Sequence, residues 1–237
     1  MTQSKGRAFG AEFFDQTKYR RGQLPASRTR VAAPFKVFAN PAEVAALPAP
    51  QLKGGTGVWT ALSRDRSGAA EGGRLKQAHL SQLLWSCAGF NYGRQRVHAT
   101  AQAVSSLECY LLAFNVQDLF AGVYHYNPRD HSLDQLKMGA VGDEFADCVL
   151  APLDVSAQAA AVCFTGLPSR HRVADGGRAY RYLLLDGGAA AQDLVLAGTA
   201  LGLAVTYAAD FYDDELAKLL HVDGRTEVPL CLVTIGS

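Results

Sequence analysis

Residues 77–89 read QAHLSQLLWSCAG, residues 107–114 read LECYLLAF and residues 122–126 read GVYHY; these stretches decide the fold. In the first, Leu80, Leu83, Leu84 and Cys87 recur at i, i+3, i+4 and i+7, the spacing of one helical face, and Gly89 supplies the stop. The other two are aliphatic and aromatic runs of strand length, followed by the turn Asn127-Pro128-Arg129-Asp130.

Outward from this centre, Ser132–Lys137 reads as a third short strand and Ala157–Phe164 as a buried one. Tyr180–Leu203 predicts a long apolar helix, whose small face from Gly187 to Ala191 admits a second helix closely. Val205–Tyr207 and Pro229–Ile235 are further strands, and Val58–Ser63 and Asp213–Leu220 further helices. Strands and helices that do not alternate strictly as βαβ predict an α+β layered domain. Residues 1–57 are punctuated by five prolines and by Lys53-Gly54-Gly55-Thr56-Gly57. They predict an extended basic arm with a short helix at Pro41–Leu47, leading a domain at 58–237.

Composition narrows the function classes. The chain has 237 residues, 49% hydrophobic and 19% charged, which is globular. Its net charge of +1 leaves no global basic excess for a polyanion, so nucleic acid is not an expected partner. Charge is uneven, however: residues 1–36 hold eight Lys/Arg and two acids. Such an arm can dock on its own body, on a second subunit or on an acidic partner. Five cysteines without a CxxC pair argue against a disulfide framework or zinc ribbon, and six scattered histidines lack metal-ligand spacing. The first residues lack an apolar core of signal-peptide length. The weakly polar stretch from Leu194 to Ala209 is also shorter than the ~20 residues that span a bilayer. A soluble, cytoplasmic protein without a membrane partner is expected.

Two constellations could carry chemistry. Ser63-Arg64-Asp65-Arg66-Ser67-Gly68 brings guanidinium forks and hydroxyls to a helix end, a combination suited to phosphate. Arg178-Ala179-Tyr180-Arg181-Tyr182 interleaves cations and rings at a helix start. Gly187-Gly188 within a helix costs about 1 kcal/mol per glycine relative to alanine and points to close packing or ligand approach. No GxSxG elbow, HExxH or P-loop is present.

Taken in order, the segments resemble nitroreductase-like flavoproteins, specifically the SagB-type (azoline-oxidising, McbC-like) dehydrogenases. The residues that carry the likeness run from Phe14–Arg20, Pro34–Phe38 and Ala46–Pro50, through Ala61–Ser67 and Leu80–Gly89, to Glu108–Tyr110 and Ala121–Asn127 with His131–Leu133. They end with Arg178–Tyr182, Asp186-Gly187-Gly188 with Gln192, and Ala200–Leu203. The resemblance implies an α+β three-layer sandwich, a mixed, mainly antiparallel sheet flanked by helices, forming an intertwined homodimer with FMN at the subunit interface. It implies that Arg66 and Ser67, with Arg64, hold the FMN phosphate. It also implies that the 99–106 loop, including Thr100, Ala101 and Gln102, lies against the ring. Gly187, Gly188 and Gln192 fall on the helix beside the cofactor.

Departures from the family pattern shape the expected chemistry. The ring loop reads Ala99-Thr-Ala-Gln-Ala-Val-Ser-Ser106, without the family's proline and glycine. The Lys-Tyr pair that resembles a general base in azoline dehydrogenases falls on Ala174 and Asp175. Asp175, Tyr180 or Tyr182 would then have to serve in its place. The resemblance therefore implies an FMN-dependent oxidoreductase acting on a peptide- or amino-acid-derived natural-product intermediate, for example azoline to azole oxidation, with other biosynthetic enzymes as candidate partners. The alternatives are an NAD(P)H-dependent nitroreductase-like enzyme acting on a small molecule, and a flavin-free member that binds a peptide or partner.

Overall fold

The computed structural model describes residues 9–27, 32–64, 72–102, 104–150, 153–172 and 177–236. At its centre β2 (Leu107–Ala113) pairs with β3 (Gly122–Asn127) on one side and with β5 (Ala160–Gly166) on the other. β4 (Ser132–Met138) and β1 (Val44–Ala46) extend one edge; β7 (Val228–Gly236) and β6 (Ala204–Ala208) extend the other. The seven strands run in the order β1-β4-β3-β2-β5-β7-β6, and every pairing is antiparallel. Every residue of β2, β3 and β5 is buried. Their near-continuous apolar composition follows from that: both faces are covered.

One face carries α2 (Val58–Ser63), α3 (Gln77–Ala88) and the 24-residue α5 (Gly177–Ala200), and the other carries α4 (Gly142–Cys148) and α6 (Asp213–Leu219). Helices, sheet and helices make the expected three-layer α+β sandwich. α5 buries Ala179, Tyr182, Leu183, Asp186, Gly187, Ala190, Ala191, Leu194 and Val195, a stripe at helical spacing that faces the sheet and α3. Gly187 sits where a Cβ would lie 3.3 Å from Leu230 of β7, so its missing side chain serves helix–sheet packing.

The expected helix at Pro41–Leu47 is replaced by β1. Pro48 and Pro50 leave too little room for a stable helix, whereas the β4 edge offers partners: Ala42 donates to the Gln135 carbonyl, and Leu47 to that of His131. The first 57 residues thus supply a strand of the sheet, and also α1 (Phe9–Gln16), which local periodicity had not marked.

The α4/α6 face holds buried charge inside strand patterns that read as apolar. Glu108 is paired with Arg170, and His125 Nε2 lies 2.7 Å from Glu108 Oε2. Lys36 pairs with Glu227, which also accepts from Tyr110 (2.8 Å) and Thr165 (2.6 Å). The backbone N–H of Lys36 donates to Glu108 (2.7 Å), so this network clamps the 32–38 segment onto the sheet.

Candidate cofactor and proton-transfer site

The chemistry-bearing residues converge at the N-terminal end of α5. Asp186, fully buried, turns its carboxylate onto the loop before β2: Oδ1 accepts from the Ala101 backbone (2.6 Å), and Oδ2 from the Ser106 hydroxyl (2.7 Å) and backbone (3.3 Å). Charge-assisted bonds of this kind fix a loop that lacks its own hydrogen-bonded ladder. Ala101 stays exposed and Thr100 and Gln102 half-buried, so the anchored loop still presents a surface.

Gln102 then links to the next shell of side chains. His171, buried, donates from Nδ1 to Gln102 Oε1 (3.3 Å), and its ring packs against Tyr182 at 5.1 Å. Burial pulls the His171 imidazole below its ordinary value, with Asp186 opposing, so the ring is neutral and Nε2 carries a lone pair. That buried Nε2 has no hydrogen-bond partner among the described residues, a vacancy that a ligand donor would fill.

Of the two described proton-transfer candidates, Tyr182 is the more heavily engaged. Its hydroxyl lies 2.8 Å from that of Tyr19 and accepts from Arg178 Nε (3.3 Å), one helical turn earlier. The Arg178 guanidinium stacks 4.4 Å over the Tyr19 ring and donates to the Thr17 carbonyl (3.1 Å). Burial alone would raise the Tyr182 phenol. Hydrogen bonds from Tyr19 and Arg178, the Arg178 charge and Gln102 outweigh it and draw the phenol below its ordinary value.

The remaining expected residues are dispersed. Tyr180 is 39% exposed, on the side of α5 away from Tyr182; Gly188 faces open space and Gln192 is exposed. Asp175, Arg66 and Ser67 lie outside the described residues. Arg64 follows α2 and donates from Nη1 to the Thr199 carbonyl (2.8 Å) at the C-terminal end of α5. The Ala101 anchor at Asp186 and the Arg64 anchor at Thr199 are 13 residues apart, about 20 Å along the helix axis. In one chain, Arg64 and the loop before β2 are therefore anchored at well-separated positions along α5.

Sequence reasoning had marked Arg178 within the Arg178–Tyr182 constellation, but had not singled out His171 or Tyr19 as site residues. The i, i+4 spacing of Arg178 and Tyr182 was a usable signal; the contact of Tyr19 with a residue 163 positions away was not. A cavity of about 970 Å³ lies elsewhere, between Trp85, Phe90, Tyr126 and His131, and none of the expected site residues lines it. Among the described residues no cluster of His, Cys, Asp and Glu could hold a metal, and no helix is long and apolar enough to cross a membrane.

Comparison with known proteins agrees with this architecture. A Methanocaldococcus jannaschii protein named "Putative nitroreductase" is 29% identical over 163 residues, covering 68% of this chain and 81% of that protein. A crystal structure titled as that of a "putative nitroreductase" from Anabaena variabilis superposes with a TM-score of 0.63 at 26% identity. The match covers 73% of this chain but only 36% of the Anabaena chain, so this chain spans about a third of that length. The E. coli microcin synthetase McbBCD complex with truncated pro-MccB17 contains a chain with the same fold: TM-score 0.64, 19% identity, 97% of this chain and 91% of that one. The family model described as "Nitroreductase family" matches residues 74–237, from just before α3 to the last strand. The chain belongs to the nitroreductase family.

Proposed function

We propose that this protein is an FMN-dependent dehydrogenase that oxidises a peptide- or amino-acid-derived azoline to the azole, working as a homodimer. The observation that carries the reading is the convergence of the Asp186-anchored loop, the unpartnered His171 Nε2 and the polarised Tyr182 hydroxyl at one end of α5. These groups fit the ring side of a flavin: a partly exposed, fixed loop and a buried lone pair lacking a donor. Arg66, Ser67 and Arg64 would hold the phosphate, and Thr100, Ala101 and Gln102 the ring; Gly187, Gly188 and Gln192 belong to the adjoining helix.

Aromatising an azoline removes a hydride and a proton. FMN, when bound, supplies the hydride acceptor. The proton falls to the protein, and Tyr182 is the better placed of the two described candidates, because hydrogen-bond donors surround its oxygen. Asp186 holds the loop in position, and the neutral His171 orients Gln102.

A second copy is needed to complete the site, since the two anchors sit about 20 Å apart on α5. The outward side of α5 suits that role. Leu184 and Leu185 are 60% and 64% exposed, Gly188 leaves open space beside them, and Trp59 of α2 is 81% exposed. Apolar side chains repeated along one helix side are what a homodimer interface buries. The bound pro-peptide in the E. coli complex supports a peptide substrate and partner enzymes for this chain too.

Absorbance of the purified protein, before and after adding FMN, is the direct test. Retained flavin that Arg66→Ala abolishes, with azoline-dependent bleaching under anaerobic conditions, is the expected result. A colourless protein that ignores FMN would overturn the reading. The likeness to the M. jannaschii protein favours a second reading, reduction of a small electrophile by NAD(P)H. Flavin bleaching by NAD(P)H but not by azoline peptides would select it.

A further inference from the structure

We infer that Tyr19, from the N-terminal segment, and Arg178 are positioning residues that hold the Tyr182 oxygen ready to accept the substrate proton, so that the N-terminal segment completes the candidate site. This rests on the reading above, in which the site must accept a proton, and adds to it the residues that make a phenol capable of doing so.

The geometry is specific. The two phenol oxygens are 2.8 Å apart, and a single proton lies between them. Arg178 donates to the Tyr182 oxygen from Nε and stacks its plane over the Tyr19 ring, so one guanidinium fixes both members of the pair. The segment carrying Tyr19 is tied down independently. Arg178 Nη1 donates to the Thr17 carbonyl, Arg181 bonds the Phe14 carbonyl, and the Arg181 guanidinium lies 4.4 Å over the Phe14 ring. A Cβ at Gly177 would stand 2.9 Å from the Thr17 methyl, so the start of α5 is shaped to receive this segment.

The groups facing the Tyr182 hydroxyl are Tyr19 from the N-terminal segment, Arg178 from its own helix, Gln102 from the loop before β2, and neutral His171 after β5. Asp186, the carboxylate whose charge acts on His171, is taken up by Ala101 and Ser106. Donors and one cation thus surround the oxygen, and each stabilises the phenolate over the phenol. In the proton step, the Tyr182 oxygen takes the proton from the azoline ring carbon. The electron pair of that C–H bond becomes the new ring double bond as the second hydrogen leaves with its own pair, and FMN, when bound, would be the two-electron oxidant that accepts this hydride. Tyr19 and Arg178 keep the resulting hydrogen-bond pattern closed.

The test is a pH titration of the full-length protein labelled with tyrosine carrying 13C at the ring carbon that bears the hydroxyl, followed by NMR with and without FMN. Tyr182→Phe assigns the signal. Tyr182 is expected to titrate below the exposed tyrosines. Tyr19→Phe, which keeps the ring under Arg178 and removes only the hydroxyl, should raise its midpoint by about 1 pH unit, as should Arg178→Gln. Arg178→Lys should restore only part of the shift, because it keeps charge but not the Nε geometry. In the loaded enzyme the same variants should move the acidic limb of the pH–kcat profile to higher pH and leave KM and flavin content unchanged.

A Tyr182 midpoint that neither Tyr19→Phe nor Arg178→Gln moves, in variants with unchanged thermal midpoints, would overturn the inference. The two readings fail separately. Loss of flavin binding or of azoline oxidation, with the coupled titration intact, would refute the proposed function and leave the tyrosine pair standing.

Discussion

Asp193 offers a quantitative test of how α5 is built. It stands on α5 beside the exposed Gln192, half-buried, and its carboxylate is close enough to the Cys87 thiol to help raise it. Burial pushes Asp193 itself from the ordinary 3.8 up to about 6, with no compensating partner. An acid raised by folding is bound to its proton more tightly in the native state than in the unfolded chain. Stability is therefore greatest below pH 3.8 and falls as pH rises through about 6, where the folded protein must carry the uncompensated charge. The span from 3.8 to about 6, at 1.36 kcal/mol per pH unit, corresponds to at most about 3 kcal/mol. Water reaching the half-buried carboxylate reduces this to about 1–3 kcal/mol. Asp193→Asn keeps the shape and removes the charge, so it should stabilise the protein by that amount at pH 7.5 and by almost nothing at pH 3.5. Urea denaturation at both pH values, at fixed protein concentration so that dimerisation does not enter, measures the difference. Equal stabilisation at both pH values, or destabilisation at pH 7.5, would show that the carboxylate has a partner and that the electrostatic reasoning fails.

Other consequences follow from single residues. Burial, reinforced by the Arg96 charge, pulls His98 down to about 4. The resulting stability is fully present above pH 6.5 and is lost as pH falls through about 4; His98→Gln should remove up to about 3 kcal/mol of that acid dependence, read as a shallower fall in urea midpoint. Arg170→Met leaves Glu108 buried without its guanidinium and should destabilise the fold by about 3–5 kcal/mol, measured by thermal or urea unfolding at pH 7. Gly198→Ala drives a Cβ to 2.4 Å from Val205 Cγ1 and should cost about 1–3 kcal/mol in the same assay, through displacement of β6 from α5. Leu184→Glu places a charge on the outward side of α5 and should shift the chain to a monomer in sedimentation, with loss of bound flavin in the same sample.

Much of this fold could be read locally because its elements are strongly patterned. Leu80, Leu83, Leu84 and Cys87 define α3 without ambiguity, and all four are fully buried. Tyr180 and Tyr182 could also have been separated in advance. Two residues apart on a helix they point about 200° from each other, and only Tyr182 shares the stripe of Ala179, Leu183 and Asp186. What stayed hidden depends on distant partners. β1 is three residues long and exists because the β4 edge receives it; the prolines that flank it, Pro41, Pro48 and Pro50, point the other way. Glu108 and His125 interrupt apolar strands with charge, and their cost is intelligible only once Arg170 and Asp134 are seen around them. Tyr19 belongs to the site solely through a contact that no spacing rule predicts.

α5 unites these observations, because its two long sides do different work. The buried side is set by packing: Gly187 against Leu230, Gly198 against Val205, and Leu194 with the α3 leucines form a rigid wall. The wall fixes Asp186 and Tyr182 near one end and the Thr199 carbonyl, with Arg64 on it, near the other. The exposed side carries Leu184, Leu185, Gly188 and Gln192, residues that pack nothing in one chain. Under the proposed function, two copies related by symmetry bring the Arg64 position of one α5 to the Asp186 position of the other. Under that proposal, loss of the interface would cost the ring side and the phosphate side at once. Loss of Tyr19 or Arg178 would touch only proton transfer, and that difference separates assembly from chemistry in this protein.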